Sequence, residues 1–146
     1  MPSGSSLAWS FDAQINLSTT AKSENGLSST FANNVGSDDT VVFARGLLGI
    51  RPNTPGAPPD LGVLIQLTAP FLYRPGNGNL LMDARIYQGA TGQPADPLVA
   101  SDLSGDVTSR VWSSGDVGSL TGTADTSGLV TALVVTPVRS RPPGFR

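Results

Sequence analysis

Trp9, Phe11, Ala13, Ile15 and Leu17 alternate with Ser10, Asp12, Gln14, Asn16 and Ser18. A period of two sends successive side chains to opposite faces, so this stretch predicts a strand with one buried face. Residues 18–26 (STTAKSENG) are polar and predict a loop. Within residues 27–35, Leu27 and Phe31 stand at helical spacing, and Asn33, Asn34 and Gly36 follow as stop signals. A short helix or 3₁₀ segment is expected there. Its serines and threonine give poor helix propensity, so tertiary contacts must hold it. After a turn at Ser37, Asp38 and Asp39, residues 40–48 (TVVFARGLL) are rich in β-branched and aromatic side chains and predict a second strand. Gly46 inside it marks a bulge or a close backbone approach.

Residues 51–60 carry four prolines, which forbid helix and ladder alike and predict an exposed extended loop. Two apolar runs follow, 61–68 and 79–87, on either side of Pro70, Pro75, Gly76, Asn77 and Gly78. They read as two strands joined by a Pro-fixed connection. In the second run, Leu80, Met82, Ala84 and Ile86 are expected in the core, with Leu81, Asp83, Arg85 and Tyr87 on the outer face. Residues 88–106 read mostly as loop, with 98–100 a short pinned element. Residues 107–113 predict a strand, 114–119 a turn, and 120–124 with 128–138 a closing hairpin.

These elements predict an all-β chain of about seven strands with at most one short helix, packed as an antiparallel β-sandwich of jelly-roll type. A barrel is the runner-up. The expected organisation is a flexible start over 1–7, one sandwich domain over 8–138, and a disordered basic tail over 139–146 (RSRPPGFR at its end).

Composition narrows the chemistry. The 146 residues suit one domain with a real core. There is no cysteine and no histidine. Disulfides, thiol catalysis, Ser-His-Asp and Cys-His sites and the commonest metal ligands are therefore excluded within this chain. The net charge is -2, with no run of either sign, so no electrostatic footprint for nucleic acid or anionic membrane exists. No apolar stretch is long enough for a membrane-spanning helix. The first residues carry neither the positive nor the apolar region of a signal peptide.

A carboxylate pair remains available for glycosidase work. The chain has 11 acidic residues, all but Glu24 being aspartates. Asp38, Asp102, Asp106 and Asp116 sit beside Gly or Ser, where Asp bonds its own turn. Asp83 falls inside a strand pattern with Arg85 on the same face, which predicts an ion pair or cross-strand partner rather than catalysis. Calcium accepts carboxylates and carbonyls at loose spacing, so Asp38 with Asp39, and Asp102 with Asp106, are its candidate ligands. They match neither an EF-hand nor a repeat-type calcium motif. Gly76-Asn77-Gly78 lacks the Lys-Ser/Thr and helix of a phosphate loop and reads as a turn. Of the aromatics, Trp9 shares the apolar face of its strand and is expected in the core. Tyr73 beside the turn and Tyr87 on the outer face are candidates for an exposed ligand platform, joined by Arg85 and Trp112. Arg110 and Trp112 alternate together, so a guanidinium stacking on an indole is expected there.

Four phrases, in order, resemble the ectodomain of bacterial PEP-CTERM sorting-domain proteins: NLSTTAKSENGLSSTFANNVGSDDTVVF (16–43), APFLYRPGNGNLLMDAR (69–85), SRVWS (109–113) and GTADTSGLVTALVVTPV (122–138). Members of that family are exported and handled by the exosortase system. The resemblance covers most of the chain and implies an extracellular or cell-surface setting, not a reaction. Family members begin with a signal peptide, usually carry further β-structure ahead of the matching segment, and end in a Pro-Glu-Pro motif, a hydrophobic helix and a basic cluster. Here Val138 is followed by basic residues without motif or helix, so sorting and anchoring do not carry over. A trimmed piece, a gene fragment or an unanchored relative is expected. A missing strand would leave a sheet edge open.

The expected function is a non-enzymatic structural or adhesion domain of the bacterial envelope or exopolysaccharide matrix. Its partners would be polysaccharide or other envelope proteins. The alternatives are a carbohydrate-binding module, with calcium as the one cofactor in view, and a filament or surface-layer subunit that self-associates through sheet edges. An enzyme using carboxylates alone stands behind these.

Overall fold

The computed structural model describes residues 9–50, 65–91, 100–101, 107–129 and 131–138. The expected flexible start over 1–7, the loop at 51–60 and the tail at 139–146 lie outside them, as does the side chain of Trp9. The elements in order are β1 (Trp9–Thr20), a 3₁₀ turn (Phe31–Asn33), β2 (Thr40–Ile50), a second 3₁₀ turn (Pro75–Asn77), β3 (Asn79–Thr91), β4 (Ala100–Ser101), β5 (Arg110–Trp112), β6 (Thr123–Asp125) and β7 (Gly128–Leu129). Every ladder is antiparallel. The main sheet has the order β2-β1-β3, and two short ladders, β4-β7 and β5-β6, stand apart from it. Among the described residues the regular structure is thus strand, with only single-turn helices beside it. Among the described residues no helix is long and apolar enough to cross a membrane.

β1 is the central strand, and this changes its environment. The alternation predicts one buried face, yet from Ile15 to Thr20 both faces are buried. The apolar row Ala13, Ile15 and Leu17 is covered on one side, and Asn16, Ser18 and Thr20 on the other. The core is built on Ile15, Leu17 and Val42, with Phe43, Leu48, Ile65, Phe71 and Leu80 packed against it.

β2 is bulged twice. Ala13 faces Gly46 and Ile15 faces Phe43, so two steps along β1 meet three along β2; Asn16 then faces Val41, which leaves Val42 as the next extra residue. Gly46 flanks the first bulge, as its position predicts. A Cβ there would meet only one atom, at ordinary contact distance, so no close approach requires it. Val42 is fully buried, and its carbonyl accepts the amides of Thr68 at 2.7 Å and Ala69 at 3.2 Å and the Thr68 hydroxyl at 3.1 Å. This hook draws residues 65–71 across the sheet, and Ile65 and Phe71 cover the core on either side of it.

Three expectations are corrected here. The described part of the 61–68 run, residues 65–68, is not a strand, and β3 pairs with β1 instead. The Thr68 and Ala69 amides are already taken by Val42, and Pro70 and Pro75 lead the chain away from a tight return. Next, the register sets Met82, Ala84 and Ile86 opposite Leu17, Ile15 and Ala13, on the core side of the sheet. Yet Met82 is 41% and Ile86 45% exposed, and only Leu80 joins the core. β3 is an edge strand, and the cover supplied by residues 65–71 stops near Leu80. Meanwhile Leu81, Asp83, Arg85 and Tyr87 of the outer face are half-buried. Last, the closing hairpin does not form. β6 pairs with β5 and β7 with β4, while residues 131–138 belong to no ladder. The Asp125 side chain accepts the Ser127 amide at 3.0 Å and ends β6 in an Asx turn.

The segment at 27–35 is a single 3₁₀ turn held by tertiary contacts. Buried Asn34 accepts the Ser28 amide at 2.7 Å and donates to the Ser28 carbonyl at 2.9 Å. The Phe31 amide donates to Leu120 and the Gly122 amide to Ser29, tying the turn to the chain just ahead of β6.

This division of faces is measurable. Leu17→Ala is expected to cost about 2–5 kcal/mol in urea unfolding, as a truncated core leucine does. Ile86→Ala, on the same side of the sheet but exposed, is expected to stay below about 1 kcal/mol. Equal costs would sink the assignment of Ile86 to an uncovered edge.

Candidate functional site

The two candidate calcium ligands before β2 serve β1 instead. The Asp38 carboxylate accepts the Thr19 amide at 2.7 Å and also the Thr19 hydroxyl. Both bonds favour its ionised form, the hydroxyl most, and its carboxyl is held below the usual carboxylate range. Asp39 accepts Asn16 Nδ2 with both oxygens, at 3.0 and 3.2 Å. Asn16 in turn accepts from Gln14 at 2.8 Å, and Ser18 Oγ accepts the Gly36 amide at 3.3 Å. The turn at 36–39 therefore supplies partners to Asn16, Ser18 and Thr19 of the central strand. Asp102 and Asp106 lie outside the described residues. Among the described residues no three acidic side chains come together as a metal-binding group.

A second cluster crosses the sheet on the same polar face. Arg45, carried by the first bulge of β2, reaches over β1 and donates to Asp12, with Nη2–Oδ2 2.7 Å and Nε–Oδ2 3.1 Å. Its guanidinium carbon lies 3.9 Å from the centre of the Tyr87 ring. Tyr87 stands at a bulge of its own, where Asp12 faces Gln88 and Ala13 faces Ile86. Two bulges on flanking strands thus bring their extra side chains onto the central one. The Asp12 hydrogen bonds strengthen the hold of Arg45 on its proton. Beside this cluster Arg85 donates to Asp83 at 2.7 and 2.9 Å, the ion pair that their spacing predicts.

The candidate aromatics are not gathered into one platform. One ring face of Tyr87 carries Arg45. The Tyr73 hydroxyl donates to the Gly78 carbonyl at 3.0 Å, at the opposite end of β3. A strand advances ~3.3 Å per residue, so Gly78 and Tyr87 stand roughly 30 Å apart.

Arg110 and Trp112 stand together on the β5-β6 ladder. Arg110 faces Asp125 across it, with Nε–Oδ1 2.9 Å and Nη2–Oδ2 3.1 Å. Trp112 Nε1 donates to the same carboxylate at 2.9 Å. The Arg110 guanidinium carbon is 5.5 Å from the indole centre. Asp125 accepts from Arg110, Trp112 and Ser127, and these bonds, Arg110's first, hold its carboxyl below the ordinary range. The indole is oriented by its own N–H, yet Trp112 remains 44% exposed. Arg110 and Asp125 border a shallow recess of about 170 Å³ with Asn25, Leu27, Ser109 and Thr126. Trp112 borders a polar one of about 320 Å³ with Ser113, Ser114, Thr121 and Thr123. An oriented indole beside the hydroxyls of Ser113, Ser114, Thr121 and Thr123 suits stacking against the apolar face of a sugar or another planar group. An ionised, triply bonded Asp125 has no proton to give and is unsuited to general-acid work.

No protein-family model matches the chain, and no curated protein or solved structure matches it. The chemistry of these surfaces is therefore read from their side chains alone. Trp112 and Arg110 share a face by their alternation, but Asp125 lies in the run Asp125-Thr126-Ser127, which reads as a turn. The signal for it is an Asp that begins an Asx turn while sharing an antiparallel register with an Arg–X–Trp strand.

Both depressed carboxylates make a pH prediction. Asp38 and Asp125 have native values below the unfolded ~3.9, so their contribution is fully present above that value and is lost as pH falls through the native values. An Asp38→Asn, Asp125→Asn double variant is expected to lose less melting temperature than the unsubstituted chain between pH 5 and pH 2, on the order of the range over which such groups titrate. Identical acid-side slopes would refute it.

Proposed function

We propose that the chain is a non-enzymatic structural or adhesion domain of the bacterial envelope or exopolysaccharide matrix, exported and extracellular, of the exosortase-associated ectodomain kind that its phrases resemble. In this reading the main sheet and the two short ladders belong to a jelly-roll-like sandwich. One observation carries the non-enzymatic part. Every described aspartate is engaged by a structural partner: Asp12 by Arg45, Asp38 by Thr19, Asp39 by Asn16, Asp83 by Arg85, Asp116 by the Gly118 amide and Asp125 by Arg110 and Trp112. In a chain without histidine or cysteine, carboxylates are the main general acids and bases left, and the described aspartates among them are spent on the fold.

A second reading, a carbohydrate-binding module, is favoured by the exposed, oriented Trp112 and its hydroxyl-lined surroundings. It needs no calcium at Asp38 and Asp39, whose oxygens already accept from β1. Calcium or chelator is accordingly expected to leave the melting temperature unchanged. A rise of several degrees with calcium would restore the ion to the account.

Incubation with a panel of bacterial exopolysaccharides, read for new reducing ends and for retention in affinity electrophoresis, tests both readings. No new reducing ends are expected. Hydrolysis that disappears on an Asp→Asn substitution would overturn the non-enzymatic reading. Retention, where seen, is expected to weaken about 3- to 10-fold in Trp112→Ala, the effect of losing an aromatic contact worth ~0.5–1.5 kcal/mol. Retention indifferent to Trp112 would remove the second reading.

A further inference from the structure

The sheet ends at β3 with an edge that nothing among the described residues pairs. Natural edges are commonly blunted by lysine, proline or an inward charge. From Asn79 to Tyr87 this edge has no lysine and no proline, and its two charges, Asp83 and Arg85, neutralise each other on the polar face. On its core side Met82, Ala84 and Ile86 are exposed in a row. The same chain carries an extended apolar segment that belongs to no ladder. In residues 132–138 (ALVVTPV) every position is exposed, with Val134 at 94% and Val135 at 78%. Leu133 and Val135 fall on one side of such a segment, Val134 and Thr136 on the other, and Pro137 ends any ladder it enters.

We propose that residues 132–136 of one copy add as a strand to the outer edge of β3 in a second copy. Leu133 and Val135 then extend the apolar row of Met82, Ala84 and Ile86, and the backbone of the segment completes the unpaired edge. The occupant is a second copy because both halves stand exposed at once in the single chain, so the chain has not closed the pair upon itself. The small net charge, -2, opposes such association only weakly. Donor and acceptor are different surfaces, so the contact is head-to-tail and each added copy presents a fresh edge. The inference deepens the structural reading above by naming its partner.

Light scattering on the full chain over a range of concentrations tests it, with circular dichroism confirming that each variant is folded. The unsubstituted chain is expected to gain mass as concentration rises. Val135→Pro removes a donor amide at an exposed position, and Ile86→Lys puts a charge on the acceptor edge; each variant alone is expected to stay monomeric. An equal mixture of the two is expected to give a one-to-one heterodimer that grows no further, because the intact segment of the Ile86→Lys chain fits the intact edge of the Val135→Pro chain. A synthetic peptide of residues 131–138 is expected to return the unsubstituted assembly to monomer. A chain monomeric at every concentration overturns the proposal, without touching the exopolysaccharide result. Assembly that survives Val135→Pro, as a symmetric pairing of two β3 edges would, overturns it too, and so does a mixture that stays monomeric.

Discussion

A central strand that is buried on both faces must find partners for its polar side chains, and the rest of this structure depends on how β1 does so. Asn16, Ser18 and Thr19 are bonded by the turn at 36–39, through Asp39, the Gly36 amide and Asp38. A buried polar group left unmet costs about 1–3 kcal/mol, so these bonds are what make the buried polar side chains tolerable. That turn lies close enough that a Cβ on Gly36 would run into the Thr19 carbonyl oxygen, backbone that cannot step aside. A Cβ on Gly78, at φ +138°, would likewise run into the Thr20 carbonyl oxygen from the β3 side. Two glycines therefore let the flanking chains close on the end of β1.

The bulges connect this arrangement to the surface. Extra residues in β2 and β3 interrupt the ladders, and the freed positions carry Val42, Arg45 and Tyr87. Val42 anchors the core cover through its carbonyl, while Arg45 and Tyr87 meet over Asp12. The same irregularities that would weaken a flat sheet thus fasten the lid on one face and the ion pair on the other. The β5-β6 ladder is organised differently, around one carboxylate shared by Arg110, Trp112 and Ser127.

Strand existence was legible where alternation or β-branched runs were long: β1, β2 and β3 all lie where the pattern places them. Partner choice was not. Adjacent apolar runs suggest a hairpin, but hydrogen-bond demand decided otherwise. The amides of Thr68 and Ala69 went to Val42, and β3 went to β1. Burial within β3 was misread for a related reason, since alternation gives the side of a sheet and not whether anything covers it. Of the site, the pairs Asp83–Arg85 and Arg110–Trp112 follow from two-residue spacing alone. The Arg45–Asp12–Tyr87 and Asp125 clusters join positions far apart in the chain, which no local pattern encodes.

The pairing of β1 with β3 also fixes an order of events in time. Ser10 faces Thr91 and Thr20 faces Asn79, so β1 can complete its pairing with β3 only after the chain has been made through β3. Closing loops of that length is slow compared with forming local turns. Until it happens, one edge of β1 has no neighbouring strand and lies open to other chains. A nascent chain of this design gains from a holding factor or from keeping its distance from its siblings. A protein crossing a membrane before it folds would meet the same interval on the far side.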